Sequence, residues 1–241
     1  MLAFNNDYSH GAHPAVLQAL VDTNMEPQPG YGTDAHTERA KHLIREACQA
    51  PDADVFFSGG RHAGHATVID MLLAPYEGVV AAETGHVACH EAGAIEFGGH
   101  KVLTIPGYEG KMHAEDLENY IQVFYENESY EHTVFPGAVY VSLSTEYGTL
   151  YSKAELAAIH AVCQKREIPL FVDAPDWPMR WRPTSATSPC PSWHSCATCS
   201  TSAAPSAALC AARPWCFAAC TLRRIPFRAL SSTVRCWPRA A

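Results

Sequence analysis

From residue 174 onward this 241-residue chain contains no glycine, tyrosine, lysine, glutamate, asparagine or glutamine, and Asp176 is its only acid. Without glycine, that stretch has no residue that enters left-handed turn conformations freely. With Asp176 as its one acid, it can build at most one of the i,i+4 ion pairs that support a solvated helix. It also has no side-chain amine to act as a nucleophile. Seven of the ten cysteines, all five tryptophans and eight arginines lie there instead, whereas all 15 glycines and ten tyrosines fall before Asp173. Residues 1–173 carry 9 basic and 24 acidic side chains (−15); residues 174–241 carry 8 and 1 (+7), and the sum is −8. Usage this uneven places a boundary at Asp173 and divides the chain into two expected regions, 1–173 and 174–241.

Long apolar runs are also missing. No stretch of about 20 apolar residues occurs, so no membrane-spanning helix is expected. The opening, with Asn5, Asn6 and Asp7, lacks the basic-then-apolar order of a signal peptide, and the expected compartment is the cytoplasm. A net charge of −8 argues against nucleic acid or an anionic membrane as partner. Hydrophobic content of 47% and charge of 17% suit a soluble globular chain long enough to bury a core.

What is present in residues 1–173 is a rhythm of alternating helices and strands. Helices are predicted over 13–25, where Pro14 fits a first helical turn, and over 33–50, 63–73, 88–97, 114–126 and 153–166. Strands are predicted over 54–57, 78–82, 101–105, 138–142 and 170–173. This alternation implies an α/β fold with a mainly parallel sheet and helices on both faces. In such sheets, binding and catalysis collect where the strands end. The tail lacks this rhythm, because Ser, Ala, Pro, Cys and Arg supply 47 of its 68 residues. It is expected to be irregular, with at most a short helix across Ala207–Ala219.

Several motifs in the front region carry chemistry. Ser58-Gly59-Gly60 follows a predicted strand and precedes a helix, a place where bare backbone can approach an anion. Thr84-Gly85-His86 leads to Glu91 five residues after the histidine, and Leu170-Phe171-Val172-Asp173 is an apolar strand ending on an acid. Each has a plain alternative when taken alone. The Gly-Gly pair can be a tight turn, His86 a surface or core histidine, and Asp173 a helix cap.

In order, these segments resemble the pyridoxal-phosphate (PLP) dependent threonine aldolases of the aromatic amino acid beta-eliminating lyase group. Asn6-Asp7-Tyr8-Ser9, Gly11-Ala12-His13-Pro14, Tyr31-Gly32-Thr33-Asp34, Tyr140-Val141-Ser142 and Thr145-Glu146-Tyr147-Gly148-Thr149 fit the same pattern. The resemblance covers nearly all of residues 1–173. It implies the large domain of a fold-type-I transferase-like protein, incomplete here, acting on a small amino-acid substrate. The implied reaction splits β-hydroxy-α-amino acids such as L-threonine into glycine and an aldehyde. By the same resemblance Gly59 and Gly60 would line the cofactor phosphate, and Asp173 would pair with the pyridine nitrogen. His86 would stack on the ring and position or deprotonate the substrate hydroxyl. His132 would be a second histidine near that hydroxyl, and Asn6 would take the substrate carboxylate. Intact relatives are expected to be homodimers or homotetramers, and no metal is implied. The spacing from His86 to Glu91 and the Tyr31–Asp34 segment count against another fold-type-I enzyme, such as an aminotransferase.

The chain also departs from that pattern. Arg61-His62-Ala63-Gly64-His65 replaces a threonine-containing loop and adds a residue, and Ala174-Pro175-Asp176 stands where Gly-Ala-Arg is expected. The Schiff-base lysine expected a few tens of residues after Asp173 is missing, so covalent attachment of the cofactor is not possible as written; arginine is no substitute, since its guanidinium stays protonated. A displaced reading frame accounts for these departures. Just after Asp173 it permits Gly-Ala-Arg-Leu, and across residues 203–209 it permits Gly-Gly-Thr-Lys-Cys-Gly-Ala, with the lysine codon straddling Pro205 and Ser206. The other displaced frame permits Thr-Gln-Ala across His62–His65. The tail is therefore expected to be out-of-frame translation. Cys196 and Cys199 with His194 and Cys210 could form a zinc site, but incidental cysteines from GC-rich codons explain them more simply. An inactive remnant of a lyase is the main alternative to an active enzyme.

Overall fold

The structure, a computed structural model, describes residues 12–48, 50–58, 61–174, 199–203 and 216–220. Helices α1 (Pro14–Thr23) and α2 (Ala35–Cys48) precede strand β1 (Asp54–Ser58). There follow α3 (Arg61–Leu72), β2 (Glu77–Ala82), the one-turn helices α4 (His86–Cys89) and α5 (Ala94–Phe97), and β3 (Val102–Ile105). Then come α6 (Ala114–Glu126), a 3-10 turn over Tyr130–His132, β4 (Phe135–Ser142), α7 (Lys153–Lys165), β5 (Leu170–Asp173), β6 (Cys199–Ala203) and β7 (Cys216–Cys220).

Local sequence explains several boundaries. Pro14 opens α1 and the His13 ring accepts a hydrogen bond from the Ala15 amide. Ser152 and Glu155 form a reciprocal capping box on α7. Glu115 and Asp116 place negative charge in the first turn of α6, where the helix dipole favours it.

The strands form one sheet in the order β1-β7-β6-β5-β4-β2-β3. Pairs β2–β3, β2–β4, β4–β5 and β5–β6 are parallel, and β7 runs antiparallel between β6 and β1. Alternation along the strands divides the core between two faces. Val80, Ala82, Val139, Val141, Leu170 and Val172 pack with Leu117 and Ile121 of α6 and Leu156 and Ile159 of α7. Val79, Ala81, Ala138, Tyr140 and Phe171 pack with Ile69 of α3, Val87 of α4 and Ile95 of α5. The mainly parallel, two-faced α/β architecture expected from the sequence is the one observed.

Three details differ from expectation. The helix expected over 88–97 is broken into α4 and α5 by Ala92 and Gly93, both left-handed, at φ 50° and 74°. Within the tail expected to be irregular, Cys199–Ala203 and Cys216–Cys220 are strands of the sheet. The short helix expected across Ala207–Ala219 is strand at Cys216 and beyond, and the rest of that segment lies outside the described residues. Among the described residues, no helix is long and apolar enough to cross a membrane.

Candidate active site

The carboxyl ends of β2, β4 and β5 meet at one edge of the sheet, where Ser142 is in register with Asp173. Around them lies a buried polar cluster. His65 from α3 is fully buried, with Glu91 at 2% and Asp173 at 3% exposure. The His65 ring faces a carboxylate on each side, Nδ1 lying 2.8 Å from Glu91 Oε1 and Nε2 3.2 Å from Asp173 Oδ1. Both nitrogens can donate only in the imidazolium. Burial by itself pulls the His65 pKa down. The charge and hydrogen bond of Asp173, followed by those of Glu91, outweigh it and raise the value to about 9.

Glu91 reaches this position because the chain turns through left-handed Ala92 and Gly93 directly after it. Asp173 also accepts a hydrogen bond from the Tyr140 hydroxyl at 2.8 Å. Burial, reinforced by the Asp173 charge, pushes the Tyr140 phenol well above its ordinary pKa, so it stays a donor. The Ser142 hydroxyl donates to Tyr140 at 3.4 Å and accepts from the His86 amide at 3.2 Å. A run of hydrogen bonds therefore joins the start of α4 to the end of β5.

His86 occupies the outer side of this cluster, its side chain 19% exposed. Its Nδ1 lies 2.8 Å from Glu146 Oε1 and its Nε2 3.3 Å from Glu91 Oε1. His90 meets the other Glu146 oxygen at 3.4 Å. Gly85 permits the tight entry to α4, since a Cβ there would come within 3.0 Å of the Ala82 carbonyl oxygen. The arrangement can recognise a flat ring with a polar nitrogen, and can hold or move a proton at His86. Among the described residues, no group of three or more His, Cys, Asp or Glu side chains is arranged to bind a metal.

Of the residues singled out from the sequence, the structure brings His86 and Asp173 together, linked through Glu91 and His65. Asn6, Gly59 and Gly60 lie outside the described residues. His132 is exposed in the 3-10 turn before β4, whereas the cluster lies past that strand's other end. A strand of this length at roughly 3.3 Å per residue puts it on the order of 25 Å away. His65, Tyr140, Ser142 and Glu146 were missed as site residues. Ser142 was signalled by its place at a strand end, as Asp173 was. His65 stood out only as part of a segment that departs from the family pattern, because its carboxylate partners are distant in sequence.

A mainly parallel sheet with helices on both faces, and an acid–histidine cluster at its carboxyl edge, define the fold-type-I transferase-like class. The chain belongs to the beta-eliminating lyase family, whose profile matches residues 6–175. Low-specificity L-threonine aldolases from Pseudomonas aeruginosa and from Pseudomonas sp. are each 30% identical to it over 172 residues. Each of these matches covers 70% of this chain and 48% of the relative. The chain thus spans about half the length of the curated relatives it matches. The solved threonine aldolase from Leishmania major superposes with a TM-score of 0.80 at 35% identity, covering 89% of this chain and 61% of that one. A PLP-bound C-S lyase from Staphylococcus hominis shares the fold, with a TM-score of 0.66 at 13% identity, covering 90% of this chain and 55% of that one.

The residues present fit part of the expected cofactor site. A buried carboxylate at a strand end and a partly exposed imidazole beside it suit a pyridine ring. Of the described lysines, Lys41, Lys111 and Lys165 pair with Glu38, Glu155 and Glu118, Lys101 precedes the amino end of β3, and Lys153 opens α7. No lysine follows Lys165.

Proposed function

We propose that this chain derives from a PLP-dependent carbon–carbon lyase of the threonine aldolase type and, as written, has lost catalysis through loss of the attaching lysine. The observation that carries the reading is the meeting of His86 and Asp173 in one network at the carboxyl edge, in the family's order. PLP, when bound, supplies an electron-withdrawing ring that eases bond breaking at an amino acid's α-carbon.

The chain's own residues act around that ring. Asp173, held in place by Tyr140 and His65, would pair with the ring nitrogen. His86, its orientation fixed by Glu146 at Nδ1, would help hold the ring and exchange a proton with the substrate's β-hydroxyl. By the family's pattern Gly59 and Gly60 would line the phosphate, and Asn6 would receive the substrate carboxylate. The intact enzyme acts in the cytoplasm as a homodimer or homotetramer on small β-hydroxy amino acids.

The displaced reading frame belongs to the same proposal. Strand β6 is parallel to β5, with Thr201 in register with Asp173, and it ends at Ala203. Sequencing the gene tests the displaced frame, because bases after Asp173 that cannot encode Gly-Ala-Arg in any frame would refute it. Activity is tested by glycine and aldehyde release from L-threonine with added PLP. The chain as written should release neither and the frame-restored chain both. A frame-restored chain that binds PLP yet releases no glycine would point to a different lyase reaction.

A further inference from the structure

At the amino edge of the sheet, across from the candidate site, Tyr76, Phe124, Tyr125, Tyr130 and Phe135 form a continuous run of edge-to-face rings. Neighbouring centroids lie 4.9–5.8 Å apart. Tyr76 is 62% and Tyr125 47% exposed, so the run is a surface patch with its outer rings in water. The chain between Tyr125 and Phe135 carries Glu126, Glu128 and Glu131, all exposed, and neither lysine nor arginine. Lys165 and Arg166, ahead of β5, pair with Glu118, and Lys101 stands at the amino end of β3. Aromatic faces bordered by carboxylates suit guanidinium groups, which stack on rings and pair with acids.

The chain itself brings such groups to that edge. Cys220, the last residue of β7, is in register with Asp54 and Cys199, which open β1 and β6. Strand β7 therefore delivers residues 221–241 to the amino edge, where Phe135 opens β4. In the sheet β4 lies three places from β7, about 15 Å at the usual strand spacing. A chain of that length, extended, reaches on the order of 70 Å, so distance sets no bar. Residues 221–241 lie outside the described residues; their sequence holds five of the tail's eight arginines, Phe227, Trp237 and no acid. We propose that this segment docks on the aromatic–acidic patch of its own chain, its arginines against the exposed rings and Glu126, Glu128 and Glu131. The docking joins the acidic front region to the basic tail and covers Tyr76 and Tyr125. It concerns the chain as written and is independent of the cofactor-site reading.

Tyrosine nitration of the full-length chain, read residue by residue by mass spectrometry, tests this. Tyr108 and Tyr147, 68% and 66% exposed, serve as references. Tyr76 and Tyr125 should react at least about tenfold more slowly than the references, the protection of a patch covered about nine-tenths of the time. Arg223→Ser, Arg224→Ser, Arg228→Ser, Arg235→Ser and Arg239→Ser together should bring all four rates within about twofold of one another. Glu126→Gln, Glu128→Gln and Glu131→Gln together should also weaken the protection, and these three exposed side chains can change without disturbing the core. Equal reactivity of all four tyrosines in the unaltered chain overturns the proposal, as does protection that survives the arginine changes. Protection that appears only as the chain concentration is raised would put a second copy's segment on the patch, and it too overturns docking within one chain.

Discussion

Strand β4 begins and ends in two very different surroundings. At its amino end Phe135 packs edge-to-face against Tyr76, Phe124 and Tyr130, with ring centroids 5.5, 5.3 and 5.8 Å apart. At its carboxyl end Ser142 joins Tyr140, Asp173, His65 and Glu91 in a buried polar network. The amino edge is held by apolar area and ring geometry, each contact contributing independently. The carboxyl edge holds buried charges that are tolerable only in combination, since removing one strands another in a dry interior. The two ends should therefore respond differently to mutation: graded loss at the aromatic edge, collapse of the network at the polar one.

Asp173→Ala is the strongest way to test this contrast. It leaves the His65 cation and the Tyr140 hydroxyl without their shared carboxylate, and should destabilise the fold by about 3–5 kcal/mol in urea unfolding. A loss below about 1 kcal/mol would mean that the network is not charged as described.

The next effect is pH dependence. His65 is raised from 6.5 to about 9 on folding, so its stabilisation is complete below pH 6.5 and is lost as pH rises through about 9. Melting curves should show a decline over that window on the order of 3 kcal/mol. The decline should be absent in His65→Asn, and a flat profile in the unaltered chain would contradict the assignment.

At the aromatic edge, Phe124→Ala removes edge-to-face contacts with Tyr125, Tyr130 and Phe135. The partly buried ring should cost about 1–2 kcal/mol on removal. Calorimetry should find that loss with pyridoxine 5′-phosphate binding unchanged, and altered binding would mean that the two edges are coupled. The smallest effect belongs to His132→Ala. Its exposed ring should be worth less than about 0.5 kcal/mol, with no change in ligand affinity. A clear loss of affinity would return His132 to the site.

Strand and helix positions were legible in the sequence because the apolar period switches between two and 3.6 residues. Lys153 and Glu126 mark helix ends that the pattern places within a residue, and Asp173 announces a strand end by being the acid that terminates an apolar run. His86 was legible as part of an ordered set. Glu91's inward turn was not, because a left-handed alanine at position 92 has no sequence signature. Nor was the insertion of β7 between β6 and β1, since strand pairing across a long sequence gap leaves no local trace. His65 was visible only as a departure from the family pattern. Its meaning depends on two carboxylates brought to it by the fold.

The central proposal is that the chain keeps a ring-binding edge but has lost the lysine that would attach the cofactor. Its most direct test is to add PLP to the purified full-length chain and to the frame-restored chain, and to follow the visible absorbance of lysine-bound cofactor. The unaltered chain should show no saturable long-wavelength band, and the frame-restored chain a stoichiometric one. A stoichiometric band from the unaltered chain, abolished by Asp173→Ala, would contradict the account.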